Sequence, residues 1–152
     1  MEPEPFVITA EDAPSMPSPM GWDARILATG ATTGGAFAVV ENVLAPGAGP
    51  PVHRHLDEDE LIRVLSGRLE LRLGDEVHEV PAGAMFFIPR GAVHVFRNVA
   101  DEPANLFVVF SPAGMERFFE GAVTASGPEQ LREIAAAARM EILGPPIRPD
   151  DC

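Results

Sequence analysis

All four of the chain's histidines fall within one stretch of 52 residues that also holds its densest run of glycines and prolines, and three of them are spaced to act together. His53 and His55 stand at i and i+2, and Glu60 follows five residues later. His94 comes about forty residues downstream, at the start of a further apolar run. On a strand, side chains at i and i+2 share a face, so His53 and His55 can aim at one point. Glu60 opens Glu60-Leu-Ile-Arg-Val-Leu-Ser66, where Glu60, Ile62 and Val64 share a face. In Val93-His94-Val95-Phe96-Arg97, His94 and Phe96 fall on one side. If these three strands are neighbours, three imidazoles and a carboxylate converge. Neutral imidazole and carboxylate are good ligands for divalent first-row metals. His78 lies outside this pattern, on the polar face of a strand, and reads as exposed rather than as a ligand.

The glycines and prolines are in register with the candidate ligands. Five residues separate Gly47 from His53, four separate His55 from Glu60, and six separate Glu60 from Gly67. In the second block, five separate Gly83 from Pro89; then come Gly91, His94 and Asn98. This pattern, G-x5-H-x-H-x4-E-x6-G with G-x5-P-x-G-x2-H-x3-N, resembles the two-part signature of the cupin superfamily at every position. The resemblance runs strongly from about residue 26 to 110. More softly, Pro112-Ala-Gly-Met-Glu-Arg-Phe-Phe-Glu120 and Ile142-Leu-Gly-Pro-Pro146 resemble the tail of small single-domain cupins labelled quercetinase-like.

The resemblance implies a double-stranded β-helix, or jelly-roll, barrel. It also implies one divalent ion per chain (Fe, Mn, Ni, Co or Zn) held by His53, His55, Glu60 and His94. In the metal-dependent flavonol dioxygenases of that family the matching glutamate also takes the substrate's enolic proton, which makes Glu60 the candidate catalytic base. Related sequences often carry an inward aromatic where this chain has Ile62, which implies a pocket of different width. Ile62, Val64 and Phe96 are expected to line the site, with Phe37, Val39, Phe86 and Ile88 as further lining candidates.

The elements that must position these groups are mostly strands. Short β-like runs punctuated by Gly and Pro recur from Trp22 to Phe110. The expectation is an all-β single domain over residues 1–152, with a barrel over about 22–111 and a short C-terminal helical arm over about 112–147. Phe6-Val7-Ile8 reads as an edge strand, and Gly30 to Gly35 as a hairpin. Ala36 to Glu41 is apolar on both sides, as in a strand buried on two faces. Asp57, Glu58 and Asp59 read as a solvated loop. In the arm, Ser111-Pro112 is expected to cap one helix, and Ser126-Gly-Pro128-Glu129 to open a second by a capping box. Leu131, Ile134, Ala135 and Ala138 mark that second helix's apolar face, and Gly144-Pro145-Pro146 ends it. The arm either packs over the barrel or acts as a lid through Phe118 and Phe119.

Composition bounds the partners. A net charge of −12 on 152 residues argues against nucleic acid and anionic membrane surfaces. The only cysteine is Cys152, so no internal disulfide forms and no thiolate enters the metal argument. The first residues carry neither a basic nor a long apolar stretch, which gives the expectation of a cytoplasmic protein. A homodimer is expected, on the resemblance and on the exposed edges a sheet must cover. Three functions fit: a metal-dependent dioxygenase of a small enolisable or aromatic compound, a non-oxidative isomerase, cyclase or decarboxylase using the metal as a Lewis acid, and a small-ligand binding module without turnover.

Overall fold

The computed structural model describes residues 2–148. Cys152 lies outside them. The elements run β1 (Met16–Pro17), β2 (Trp22–Ala28), α1 (Gly30–Thr33), β3 (Ala38–Leu44), β4 (Val52–His55), β5 (Asp59–Ser66), β6 (Arg68–Leu73), β7 (Glu76–Pro81), β8 (Met85–Ile88), β9 (Val95–Asn98), β10 (Ala104–Ser111), α2 (Glu116–Ala122), α3 (Pro128–Ala137) and β11 (Met140–Gly144). One sheet has the order β1-β2-β3-β10-β5-β8. Facing it are β7-β6-β9 and β11-β4, which a His53–His94 bridge joins into one layer. All named pairings are antiparallel, and the result is a jelly-roll barrel.

Alternation along the strands builds the core. In β5, Glu60, Ile62 and Val64 are buried, and in β10 Ala104, Leu106, Val108 and Phe110 are buried. Their register places Glu60 beside Phe110, Ile62 beside Val108 and Val64 beside Leu106, so one barrel face carries apolar rungs with one carboxylate at its end.

Several expectations are corrected. Residues 6–8 form no strand: Phe6 and Val7 are exposed, and the segment has no ladder partner. Gly30 to Gly35 is not a hairpin but a single helical turn. Thr29 and Thr32 exchange side-chain and backbone hydrogen bonds there, and Gly34 closes the turn. Strand β3 starts at Ala38 rather than Ala36, and it is Ala38, Val40, Asn42 and Leu44 that face inward. With both sides apolar, the pattern from 36 to 41 could not choose a face; Leu44, wholly buried, anchors the opposite one.

The arm also differs. Ser111 ends β10 and donates to the Ala36 carbonyl instead of capping a helix; α2 begins at Glu116. At α3 the N-cap is Gly127 with Pro128 in the first turn, and Ser126 donates through both its amide and its hydroxyl to Gln130. Leu131, Ala135 and Ala138 are buried as the periodicity predicts. The helix ends well before Gly144. Arg139 turns the chain with φ 57°, and Met140–Gly144 returns as β11 against β4, with Met140 opposite His55 and Ile142 opposite His53. Strand β11 is short and follows a strong helix, so its period of two was masked.

Candidate metal centre

Each candidate ligand is fixed by a different local device. His53 and His55 lie on β4, both 3% exposed. Their strand is clamped by β11 on one side and by the mutual His53–His94 backbone hydrogen bonds on the other. Glu60 opens β5, where the neighbouring Asp59 receives hydrogen bonds from the Arg90 amide and guanidinium. This ties β5 to the turn before His94. That turn's Gly91 amide donates to the His55 carbonyl at 2.7 Å. The two sequence blocks also meet at their far ends. The Gly47 amide donates to Asn98, the Asn98 amide to Ala48, and the buried Asn98 side chain to the Leu44 and Glu102 carbonyls. Gly47 has φ 77°, a region that suits glycine. The signature is thus a set of clamps around four side chains.

The four donor atoms of His53, His55, Glu60 and His94 lie within 4.8 Å of one another, and all four residues are buried. Atoms each about 2.1 Å from a shared ion can be no more than about 4.2 Å apart, so shifts of a few tenths of an ångström close the set. His53 Nδ1 lies 2.7 Å from the Pro51 carbonyl, and His94 Nδ1 lies 3.0 Å from that of Ala92. A carbonyl only accepts, so in both rings Nδ1 carries a proton and Nε2 is the atom turned inward. His55 Nε2 lies 2.9 Å from a Glu60 carboxylate oxygen without a hydrogen bond of good geometry, and His94 Nε2 hydrogen-bonds the same oxygen at 3.2 Å. Nitrogen and carboxylate oxygens gathered this closely require a cation or protons between them. The donor set therefore fits a divalent metal ion, with a net charge near +1 after the carboxylate is counted.

Electrostatics agrees. Burial alone would raise the Glu60 pKa, but His55 and His94 outweigh it and hold the carboxyl well below its usual range. Burial, reinforced by His94 and His55, drives His53 well below the ordinary imidazole value and keeps it neutral. For His94 burial works downward, and contact with Glu60 reverses the sign. Glu58, read from sequence as solvated, is 3% exposed, and Oε2 of its carboxylate has no partner. Burial pushes its pKa up. Its neighbours behave otherwise: Asp57 pairs with Arg139 and Asp59 with Arg90 at the surface. His78 is exposed on β7 and pairs with Glu76, outside the cluster.

A cavity of about 40 Å³ opens beside His53, His55 and Glu60. Of the sequence candidates, Ile62 and Phe96 line it. Val64, Phe86 and Ile88 are buried in the barrel core without lining it, Phe86 meeting Phe96 edge-on. Phe37 and Val39 face outward, for the parity reason given above, and leave the site. Sequence reasoning missed most of the wall. Val108 and Phe110 come from β10, Trp22 from β2, Leu44 and Asn42 from β3, Met140 from β11 and Met115 from the arm, whereas Phe118 and Phe119, offered from sequence as a lid, also line it. The arm is both packing and wall: Phe118 stacks on Trp22, and Phe119 packs on Phe110, which itself meets the His55 ring edge-on. Asn42 stands out because its Oδ1 is buried without a partner. A polar residue in an otherwise alternating apolar strand was the available signal.

A family model described as Cupin domain matches residues 40–110. The match covers just under half of the chain, and the jelly-roll fold agrees with it. A polyketide synthase CurC of Streptomyces cyaneus is 34% identical over 93 residues, covering 60% of this chain and 60% of that protein. Quercetin 2,3-dioxygenase of Bacillus subtilis is 40% identical over 76 residues, covering 49% of this chain and 22% of that protein. The chain thus spans less than two thirds of the length of either relative. Among solved structures, the polyketide cyclase RemF from Streptomyces resistomycificus superposes with a TM-score of 0.61 at 25% identity, over 71% of this chain and 80% of that one. No helix among the described residues is long and apolar enough to cross a membrane.

Proposed function

We propose that this chain is a metal-dependent enzyme of a small enolisable aromatic compound, with dioxygenation as its leading reaction. One observation carries the proposal: a buried three-histidine, one-carboxylate cluster opens onto a cavity whose remaining walls are apolar apart from Asn42 and the Trp22 indole. A divalent ion held by His53, His55, Glu60 and His94 would act there as a Lewis acid toward a substrate oxygen and, if redox-active, would give access to dioxygen.

The chain's own residues supply the rest. Among the described residues Glu60 is the only carboxylate lining the cavity, and it is held ionised, so it is the group placed to accept an enolic or phenolic proton. Phe96, Phe110 and Phe119 offer ring faces and edges to a flat substrate and exclude water. Asn42 lies four residues along the sheet from the Glu60 rung, since it pairs with Leu106 while Glu60 pairs with Phe110. At about 3.3 Å per residue, that puts a second polar anchor about 13 Å along the barrel. A substrate with oxygen functions at both ends of an apolar body matches this spacing. The cavity holds far less than the several hundred cubic ångströms a drug-sized ligand occupies, so such a substrate enters by displacing α2 with Met115, Phe118 and Phe119.

Cyclisation without oxidation is the second reading, favoured because two of the three relatives above are named for polyketide chemistry. Oxygen uptake by protein reconstituted with Fe, Mn, Co, Ni or Zn, offered enolic and phenolic compounds, separates the two. Stoichiometric uptake supports dioxygenation. Turnover without uptake, Zn included, supports cyclisation or another Lewis-acid reaction. Binding without turnover under every metal would overturn the enzyme reading. Glu60→Gln should retain metal while turnover falls by about 10²–10⁴-fold; full activity in that variant sinks the role given to Glu60.

A further inference from the structure

Three imidazoles meet at the cluster, and two of them are held from behind. His53 and His94 each turn Nδ1 to the backbone carbonyl two residues earlier, that of Pro51 and of Ala92. His55 has no such partner. Its Nε2 faces the Glu60 carboxylate at 2.9 Å, so Nδ1 points away from the cluster, and that nitrogen is buried with nothing bonded to it. Whenever Nε2 holds a cation, the ring's proton sits on Nδ1. A buried N–H without an acceptor is costly, and metal-bound imidazoles almost always give that proton to a carboxylate, a carbonyl or water.

Among the described residues two buried side-chain oxygens have no partner, Asn42 Oδ1 and Glu58 Oε2. Asn42 belongs to the cavity wall, four residues along the sheet from the Glu60 rung. Glu58 lies three residues past His55, in the connection between β4 and β5, and does not line the cavity. It is 3% exposed. Of the charged groups that act on its carboxyl, His55 acts most strongly, ahead of the adjoining Asp57. The loop is fastened on both sides of it, because Asp57 pairs with Arg139 and Asp59 with Arg90. Glu58 alone of the three acids has an oxygen left over. Gly114 makes room for it: a Cβ built there would come 3.2 Å from Glu58 Oε1.

We propose that Glu58 acts as a positioning residue for His55: its Oε2 accepts the His55 Nδ1–H when a divalent ion binds, doing for this ring what the Pro51 and Ala92 carbonyls do for the other two. This role rests on the metal centre and not on the reaction the centre performs. It also accounts for a buried carboxylate that weakens the metal-free fold. Full-length Glu58→Leu and Glu58→Gln, with Zn²⁺ alone as the probe, test it. Leucine has similar bulk and no acceptor; glutamine keeps an oxygen that accepts. In competition with a chelator, Glu58→Leu should bind Zn²⁺ about 10–100-fold more weakly than wild type, with Glu58→Gln in between. In urea, metal-free Glu58→Leu should be at least as stable as wild type. Nuclear magnetic resonance of the Zn²⁺-loaded protein with isotope-labelled histidine should show the His55 Nδ1–H signal in wild type and Glu58→Gln. In Glu58→Leu that signal should shift or exchange away, while those of His53 and His94 stay. Wild-type affinity in Glu58→Leu, or a His55 signal indifferent to the substitution, overturns the proposal. So does a Glu58→Leu variant that loses stability and affinity together, which would assign Glu58 to packing. A wild type that takes up no Zn²⁺ overturns the metal centre, and this role with it.

Discussion

Two glycines separated by one residue should respond to the same substitution for opposite reasons. Gly47 belongs to the signature, but a Cβ built on it meets nothing within 4 Å. Its need for glycine is its φ of 77°, so Gly47→Ala should cost about 1–2 kcal/mol and leave the local hydrogen bonds in place. Gly49 lies outside the signature and has no such conformation. A Cβ there would sit 2.0 Å from the Phe96 carbonyl oxygen and 2.8 Å from Arg97 Cα, both backbone atoms of β9. The loop would have to retreat by about 1 Å. That strains the Gly47–Asn98 and Asn98–Ala48 hydrogen bonds, each worth about 1 kcal/mol, on top of overpacking of about 1–3 kcal/mol. Gly49→Ala should therefore lose about 3–5 kcal/mol, enough to matter but within the stability of an ordinary domain.

The displacement also propagates, since His53 follows four residues later and metal sites tolerate ligand shifts of only about 0.2 Å. Metal affinity should fall by about 10–100-fold in Gly49→Ala and little in Gly47→Ala. Urea unfolding of the metal-free protein and competition with a chelator read the two effects. A Gly49→Ala variant more stable than Gly47→Ala, or one that binds metal like wild type, would refute the steric argument.

Three further outcomes are expected. His94→Ala should lose stoichiometric metal, by elemental analysis, because its Nε2 and the Glu60 carboxylate share one point. Glu58→Gln should stabilise the metal-free protein by about 1–2 kcal/mol at neutral pH. The raised pKa means that folded Glu58 holds its proton more tightly than the unfolded chain does, so wild type loses stability as pH rises from 4.5 through the folded value. The gain from Glu58→Gln should therefore vanish below about pH 4, and a gain independent of pH would show that burial of the charge is not the cause. Phe118→Ala removes a side chain 4% exposed that stacks on Trp22 and abuts Phe119. It should cost about 3–5 kcal/mol in denaturant titrations, and a loss below about 1 kcal/mol would mean that α2 is already loose over the cavity.

The four residues of the cluster, and the glycines and prolines in register with them, were legible in the sequence because each rests on local geometry. Two histidines at i and i+2 share a strand face whatever the fold. A glycine at positive φ or a proline before a turn imposes its conformation within a few residues. Ile62 and Phe96 were readable as inward-facing for the same reason: each shares a strand parity with a ligand, Glu60 or His94. Parity failed for Phe37 and Val39, where both faces of the strand are apolar and only contact with the rest of the barrel chooses between them. It was silent on Glu58, whose burial depends on the chain folding across at Gly114, 56 residues later. The wall supplied by α2, the return of Met140–Gly144 as a strand behind His53 and His55, and the pairing of Gly49 against Phe96 are all contacts between segments distant in the chain. Periodicity carries no information about such contacts. Sequence by itself determined which atoms can meet a metal; the tertiary structure decided the shape of the cavity beside them, because that shape is set by long-range packing.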